Sequence, residues 1–212
     1  MTQIDPARLS YHLLDPSRTP VKDPRLTESY RCWHDTWESA FRELAHEPEV
    51  YSDDFTRQHE VGAIFQDSEC IALSFFRWID LSSPINRQDS YFRAWTDADK
   101  DALCKEGTYV CISSNFTLAE GWRKSTVCSL KDVLVALIVE RFLLSNASAV
   151  SGTVRNNRGV DRLIYRNGFL PIRHAAQQYG VDVDLAAFYR GASTRTPTSP
   201  INEAIVQALK PK

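Results

Sequence analysis

Asp53, Asp54, His59 and Glu60 fall within one short stretch. Such a cluster can hold an ammonium group and accept its proton, directly or through water, and it suits a solvated turn equally well. Further along, Arg123-Lys124-Ser125-Thr126 sets two cations and two hydroxyls in a row, a set that meets phosphate oxygens by charge and hydrogen bond. Arg155, Arg158, Arg162, Arg166 and Arg173 follow, with Asp161 as the single acidic residue among them. On one helix Arg158, Arg162 and Arg166 would share a face, which would be either a solvated surface or a dock for an acidic partner. Cys111 lies in an apolar strand pattern with no histidine near it in sequence, which favours inert packing over a nucleophile. His12, His34, His46, His59 and His174 show no ligand spacing, so no metal site is expected.

These groups belong to a chain of 212 residues, 43% hydrophobic and 25% charged, the size and composition of one globular domain able to bury a core. Lys+Arg 25 against Asp+Glu 27 gives a formal charge of -2, which speaks against a nucleic-acid binder. The total hides an asymmetry. Residues 1–119 hold 12 Lys/Arg and 20 Asp/Glu, a net of −8, whereas residues 120–212 hold 13 and 7, a net of +6. Either the two halves attract each other, or the basic half meets an anionic partner. The longest apolar run, Val133 to Leu144, is interrupted by Glu140 and Arg141 and is too short for a membrane span. The start, MTQIDPARLS, lacks a secretory pattern, and the five scattered cysteines form no C-x-x-C. A reduced, cytoplasmic setting is therefore expected.

The elements that must position these residues follow from periodicity. Residues 1–26, with Pro6, Pro16, Pro20 and Pro24, read as an irregular arm. A helix then starts from Thr27 as N-cap. It carries Tyr30, Trp33, Trp37, Phe41 and Leu44 on one face and ends at Pro48. Trp33 and Trp37 would fill a core or line a pocket. Two strands, V-G-A-I-F and C-I-A-L-S-F-F-R-W-I, are joined by Gln66-Asp67-Ser68 as a hairpin. A short helix is expected over Thr96–Lys105, a strand over 107–118, and an apolar helix over 129–145. A strand over 148–154, a helix over 157–166 and strands near 169–172 and 183–189 complete a domain over residues 27–190. Residues 191–212 form a tail ending in a helix from Ile201 to Leu209. Because a buried helix between strands needs a crossover, the class is mixed α/β with a partly parallel sheet of six or seven strands and flanking helices.

From Gly107 to Phe169 a strand leads through a basic loop into a long apolar helix, and a second strand and helix end in Gly168-Phe169. With Ser113-Ser114-x-Phe116 in the strand and R-N-G-F closing the helix, this order resembles the GCN5-related, acyl-CoA-dependent N-acetyltransferase superfamily. The aromatic helix with Arg31, Trp33 and Trp37, then Asp53-Asp54 and the strand carrying Arg77, is similar to the branch of autoinducer (acyl-homoserine lactone) synthases and long-chain N-acyl amino acid synthases. The resemblance covers about residues 28–190.

It implies an enzyme moving an acyl group from acyl-CoA, or from the phosphopantetheine of an acidic acyl carrier protein, to a small amine. It implies that Ser113 and Ser114 mark the bulged strand whose backbone N–H groups meet the oxyanion. Asp54 would serve as base, and Trp33, Trp37, Asp53 and Arg77 would contact the acceptor. Arg123, Lys124, Ser125 and Thr126 fall where the superfamily has a glycine-rich pyrophosphate loop. Without the glycines, charge and hydroxyls take over from backbone amides, which suits a single phosphate at least as well as a diphosphate. Asn157 is the implied donor contact, and the arginine stripe faces a carrier. The family's tyrosine falls at Ile164, which leaves Tyr165, about 100° further round the helix, as the candidate acid. Lactone synthases carry Glu-x-x-Arg where this sequence has Ile112 and Asn115, so lactone synthesis is not expected. A descendant that binds a carrier without turnover is the alternative.

Overall fold

The computed structural model describes residues 3–20, 22–43 and 49–211. The predicted helix positions Leu44 and Pro48, and His46, lie outside them. The elements run β1 (Leu9–Leu14), α1 (Pro24–Arg42), α2 (Ser52–Thr56), β2 (Glu60–Gln66), β3 (Glu69–Asp80) and α3 (Asp97–Leu103). They continue β4 (Tyr109–Leu118), α4 (Leu130–Leu143), β5 (Ala149–Arg155), α5 (Val160–Arg166), β6 (Leu170–Gln178), β7 (Val181–Tyr189) and α6 (Pro200–Leu209). The strands form one seven-stranded sheet in the order β1-β2-β3-β4-β5-β7-β6. Val110–Ile112 of β4 run parallel to Ala149–Ser151 of β5, the register that the crossover through α4 requires. The expected mixed α/β class is the observed one.

The irregular arm expected over residues 1–26 is not what forms. Leu9–Leu14 pairs antiparallel with Val61–Gln66 as an edge strand. Nor does α1 start from Thr27: the Asp23 side chain accepts from the Arg25 amide, and Pro24 takes the first helical position, where its missing N–H costs nothing. The helix predicted over 157–166 is split. Gly159, at φ +68, separates a 3₁₀ turn over Asn156–Arg158 from α5. The strand predicted near 169–172 extends to Gln178.

The chain divides into two compact units. The first comprises Met1–Arg77, Ser114–Ile138 and Thr198–Lys212. Its core gathers Trp33, Phe55, Phe75, Val61 and Leu73, each at most 2% exposed. The Trp33, Phe55 and Phe75 rings stand 5.4–5.7 Å apart, the spacing of favourable edge and tilted aromatic pairs. The second comprises Trp78–Ser113 and Val139–Pro197. Here Phe92, Trp95, Leu103, Val110, Leu185 and Tyr189 form the core, and the short helix expected near Thr96 is α3, opened by a capping box between Thr96 and Asp99.

In the second unit the Gly168-Phe169 pair terminates α5. The Phe169 amide bonds to the Ile164 carbonyl and the Gly168 amide to the Tyr165 carbonyl, with Gly168 at φ +93, a left-handed exit that glycine makes without cost. A Cβ at Gly168 would stand 2.2 Å from the Thr194 carbonyl oxygen. Gly168→Ala is expected to destabilise the fold by at least about 2 kcal/mol, since left-handed strain and backbone collision add. A urea melt whose midpoint stayed at the wild-type value would refute this.

Candidate functional site

In the first unit the strand proposed to meet the acyl group is kinked. Asn115 of β4 takes φ +52, a left-handed conformation that asparagine tolerates better than other side-chain-bearing residues and that breaks the alternation of the strand. Two indoles one helical turn apart on α1 hold it. Trp33 Nε1–H donates to Asn115 Oδ1 at 3.0 Å, and Trp37 Nε1–H donates to Thr117 Oγ1 at 3.0 Å. The Thr117 hydroxyl in turn donates to the Asn115 carbonyl at 2.6 Å. Asn115 Nδ2 donates to Ser114 Oγ at 3.3 Å, and the Ser114 carbonyl accepts from the Ser74 hydroxyl. Trp33 and Trp37 therefore act through their N–H groups as braces of β4, a role that neither a core nor a pocket reading anticipates.

The basic loop begins where β4 ends. Trp122, 4% exposed, anchors it by donating Nε1–H to Glu69 Oε1 at 2.8 Å. Arg123 turns back to donate Nε–H to the Leu118 carbonyl at 3.0 Å, which leaves its terminal nitrogens for a ligand. Lys124 and Thr126 are exposed and Ser125 is half-buried, its Oγ accepting from the Val127 amide. At the far end the Ser129 amide, at the start of α4, donates to Asn202 Oδ1 of α6 at 3.0 Å. Two fixed ends thus present four phosphate-competent side chains along an exposed segment.

Asp53 and Asp54 lie in the first turn of α2, which is pinned by buried Phe55. Asp53 is exposed, while Asp54 Oδ1 pairs with Arg57 at 2.6 Å. An ammonium at Asp54 would have to compete with that guanidinium, so Asp53 is the more available carboxylate. Arg77 is half-buried in β3.

In the second unit, Ser113 is half-buried and Cys111 is fully buried in β4. No disulfide involves any of the five cysteines. The Cys70 thiol is pushed up by the adjacent Cys32 thiol and by burial, and Cys104 and Cys128 are pushed up by burial, which makes reactive thiolates of none of these three. Asn157 and Arg158 are exposed on the 3₁₀ turn, and Arg162 and Arg166 are exposed on α5. Because Gly159 breaks the helix, Arg158 does not continue the face that Arg162 and Arg166 share. A Cβ at Gly159 would lie 3.3 Å from Arg162 Nη2, so that guanidinium covers the junction.

Tyr165, the candidate acid, donates its hydroxyl to Asp184 Oδ2 at 2.6 Å. Burial, then that bond, push the phenol up. Asp184 was absent from the residues expected from sequence. It is 3% exposed, and it also accepts from His174 Nδ1 at 2.7 Å, Asn156 Nδ2 at 2.9 Å and the Ala175 amide at 3.1 Å. Burial alone would raise this carboxyl; the bonds from Tyr165, His174, the Ala175 amide and Asn156 outweigh it and hold it at about 2. Among the described residues no group of three or more His, Cys, Asp and Glu could hold a metal ion, and no helix is long and apolar enough to cross a membrane.

No protein-family model matches the sequence, and no curated protein sequence matches it. Solved structures match in fold. FeeM, an N-acyl amino acid synthase from uncultured soil microbes, is 12% identical, aligning 86% of this chain with 90% of its own at a TM-score of 0.60. BjaI, a CoA-dependent acyl-homoserine lactone synthase solved with SAM and isopentyl-CoA, is 14% identical, with 94% and 89% aligned at a TM-score of 0.60. NAA60 of Arabidopsis thaliana, solved with acetyl-CoA, is 16% identical, with 85% and 99% aligned at a TM-score of 0.54. What is shared at these identities is the fold.

Proposed function

We propose that this chain, with the fold of the N-acyltransferases and acyl-homoserine lactone synthases, is itself an N-acyltransferase. In this reading it moves an acyl group from a thioester, on acyl-CoA or on an acyl carrier protein, to the amine of a small amino-acid-like acceptor. The observation that carries it is β4: a strand kinked at Asn115 and braced by Trp33 and Trp37, in a fold shared with FeeM, BjaI and NAA60. The amine attacks the thioester carbon, and backbone N–H groups of β4 near Ser113 and Ser114 stabilise the oxyanion, each such donor contributing on the order of 3 kcal/mol. Collapse of the tetrahedral intermediate forms the amide and breaks the C–S bond. The proton lost by the amine returns to sulfur, so acyl thioester and amine become amide and thiol. Asp53 holds the acceptor's ammonium, with Asp54 next to it in α2 and Arg77 in β3 of the same unit as further contacts. Arg123, Lys124, Ser125 and Thr126 hold a donor phosphate, and Asn157 contacts the donor arm.

Position 112 weighs against lactone synthesis, because the residue there is an isoleucine 1% exposed rather than a carboxylate. Pure protein given acyl-CoA and acyl-carrier donors over a range of chain lengths, with amino acids as acceptors, is expected to release thiol only when an amine is present. Silence with both donors at every chain length would overturn the assignment. The exposed Arg158, Arg162 and Arg166 support a second reading, in which the chain binds an acidic carrier without turnover. Carrier binding without thiol release would establish that instead.

A further inference from the structure

Asp184 gathers more donors than any residue expected from the sequence. Its four bonds come from three places in the second unit: Asn156 in the turn before α5, Tyr165 in α5, and His174 with the Ala175 amide in β6. Each departs from regular structure or sits beside a departure. Ala175 takes φ +52 within a register shift of β6, a conformation that persists for alanine only when its surroundings impose it. The 3₁₀ turn Asn156–Arg158 has no side-chain cap at its start, and Gly159 after it supplies none to α5. A long-range tie runs from Asn156 Nδ2 in that turn to Asp184 Oδ1.

Within the second unit the Tyr165 hydroxyl is committed to Asp184, which sits in β7 opposite Val154 of β5. Next to Asn156 in sequence are Asn157 and Arg158, both exposed and both on the turn that Asn156 anchors.

We propose that Asp184 is a positioning residue: through Asn156 it fixes the turn that presents Asn157 and Arg158 to the phosphate-bearing arm of the donor. This rests on the acyltransferase reading above and assigns Tyr165 to the support of that turn. A turn ordered before the donor arrives spares binding the entropy of ordering it, and one residue's worth of backbone order corresponds to about tenfold in affinity.

The probe is coenzyme A, titrated calorimetrically into wild type, Asp184→Asn and the milder Asn156→Ala, with amide hydrogen exchange followed over residues 156–159. Both variants are expected to exchange faster there and to bind coenzyme A about tenfold more weakly, while kcat at saturating donor stays within twofold. If Asp184→Asn does not fold, Asn156→Ala carries the test. Folded Asn156→Ala with wild-type exchange, or with faster exchange but wild-type affinity, would overturn the proposal and leave the acyltransferase reading standing. Wild-type protein that binds neither coenzyme A nor phosphopantetheine would remove both.

Discussion

Arg123→Glu combined with Lys124→Glu is expected to weaken coenzyme A binding by at least about 100-fold while the thermal midpoint moves little. Charge-assisted bonds to a phosphate contribute roughly 1.5–3 kcal/mol each, and the reversal also sets two carboxylates against the anion. Both side chains are exposed, so little packing is lost. Arg123 gives up its bond to the Leu118 carbonyl, which is why the double glutamine variant belongs beside it: same lost bond, no added repulsion. An affinity for coenzyme A equal to wild type in the double glutamate variant would show that the donor is held elsewhere. Affinity should also fall with added salt in the wild type and much less in the variant.

The other large effect is expected from Trp33→Phe. Trp33 is 1% exposed and packs against Phe55 and Phe75, contacts a phenyl ring largely keeps. What disappears is the N–H that satisfies Asn115 Oδ1. Leaving this half-buried acceptor without its donor costs about 1 kcal/mol, and the smaller ring leaves a cavity on top of that. The more telling readout is kinetic. If the left-handed Asn115 sets the direction of the amides that meet the oxyanion, its release lowers kcat by tenfold or more while coenzyme A affinity holds, because the loss falls on the transition state. A variant that melts earlier yet turns over at the wild-type rate would make the brace purely structural. Trp37→Phe, which removes the donor to Thr117 Oγ1 in the same strand, should move kcat in the same direction.

Sequence patterning reached the order of elements because the relevant signals are local. The apolar run of Val133–Val139 has no polar face because that stretch of α4 is buried throughout, and the hairpin turns at Asp67, φ +53, where the polar triplet predicts it. Asp23-Pro24 carried a readable helix-start signature, although Thr27 also offered a cap. β1 was hidden because Ser10, Tyr11 and His12 are only partly buried at a sheet edge and the surrounding prolines suggest an irregular chain. The polar run of β6 concealed its second half for the same reason.

The site divides along the same line. Side chains that act by exposure, such as Arg123 and Lys124, are legible from composition. Those that act by long-range bonds are not. Asp184 sits in V-D-V-D-L, an alternation that reads as outward-facing polar residues, yet it is buried because Asn156, Tyr165 and His174, distant in sequence, come to it. A left-handed Asn115 and Trp33 gave no hint of each other across 82 positions, nor did Thr117 and Trp37 across 80.

One bond bears on how the molecule is made. The start of α4 is held by Asn202, which is 4% exposed in α6, and α6 also lies against β1, so the first unit joins its earliest strand to its last helix. During vectorial synthesis that unit cannot close until α6 has left the ribosome, whereas every segment of the second unit, Trp78–Ser113 and Val139–Pro197, has been translated by then. Nascent chains arrested before Pro200 would carry a β1 without α6 against it and an unanchored start of α4, the state in which chaperones would meet this protein.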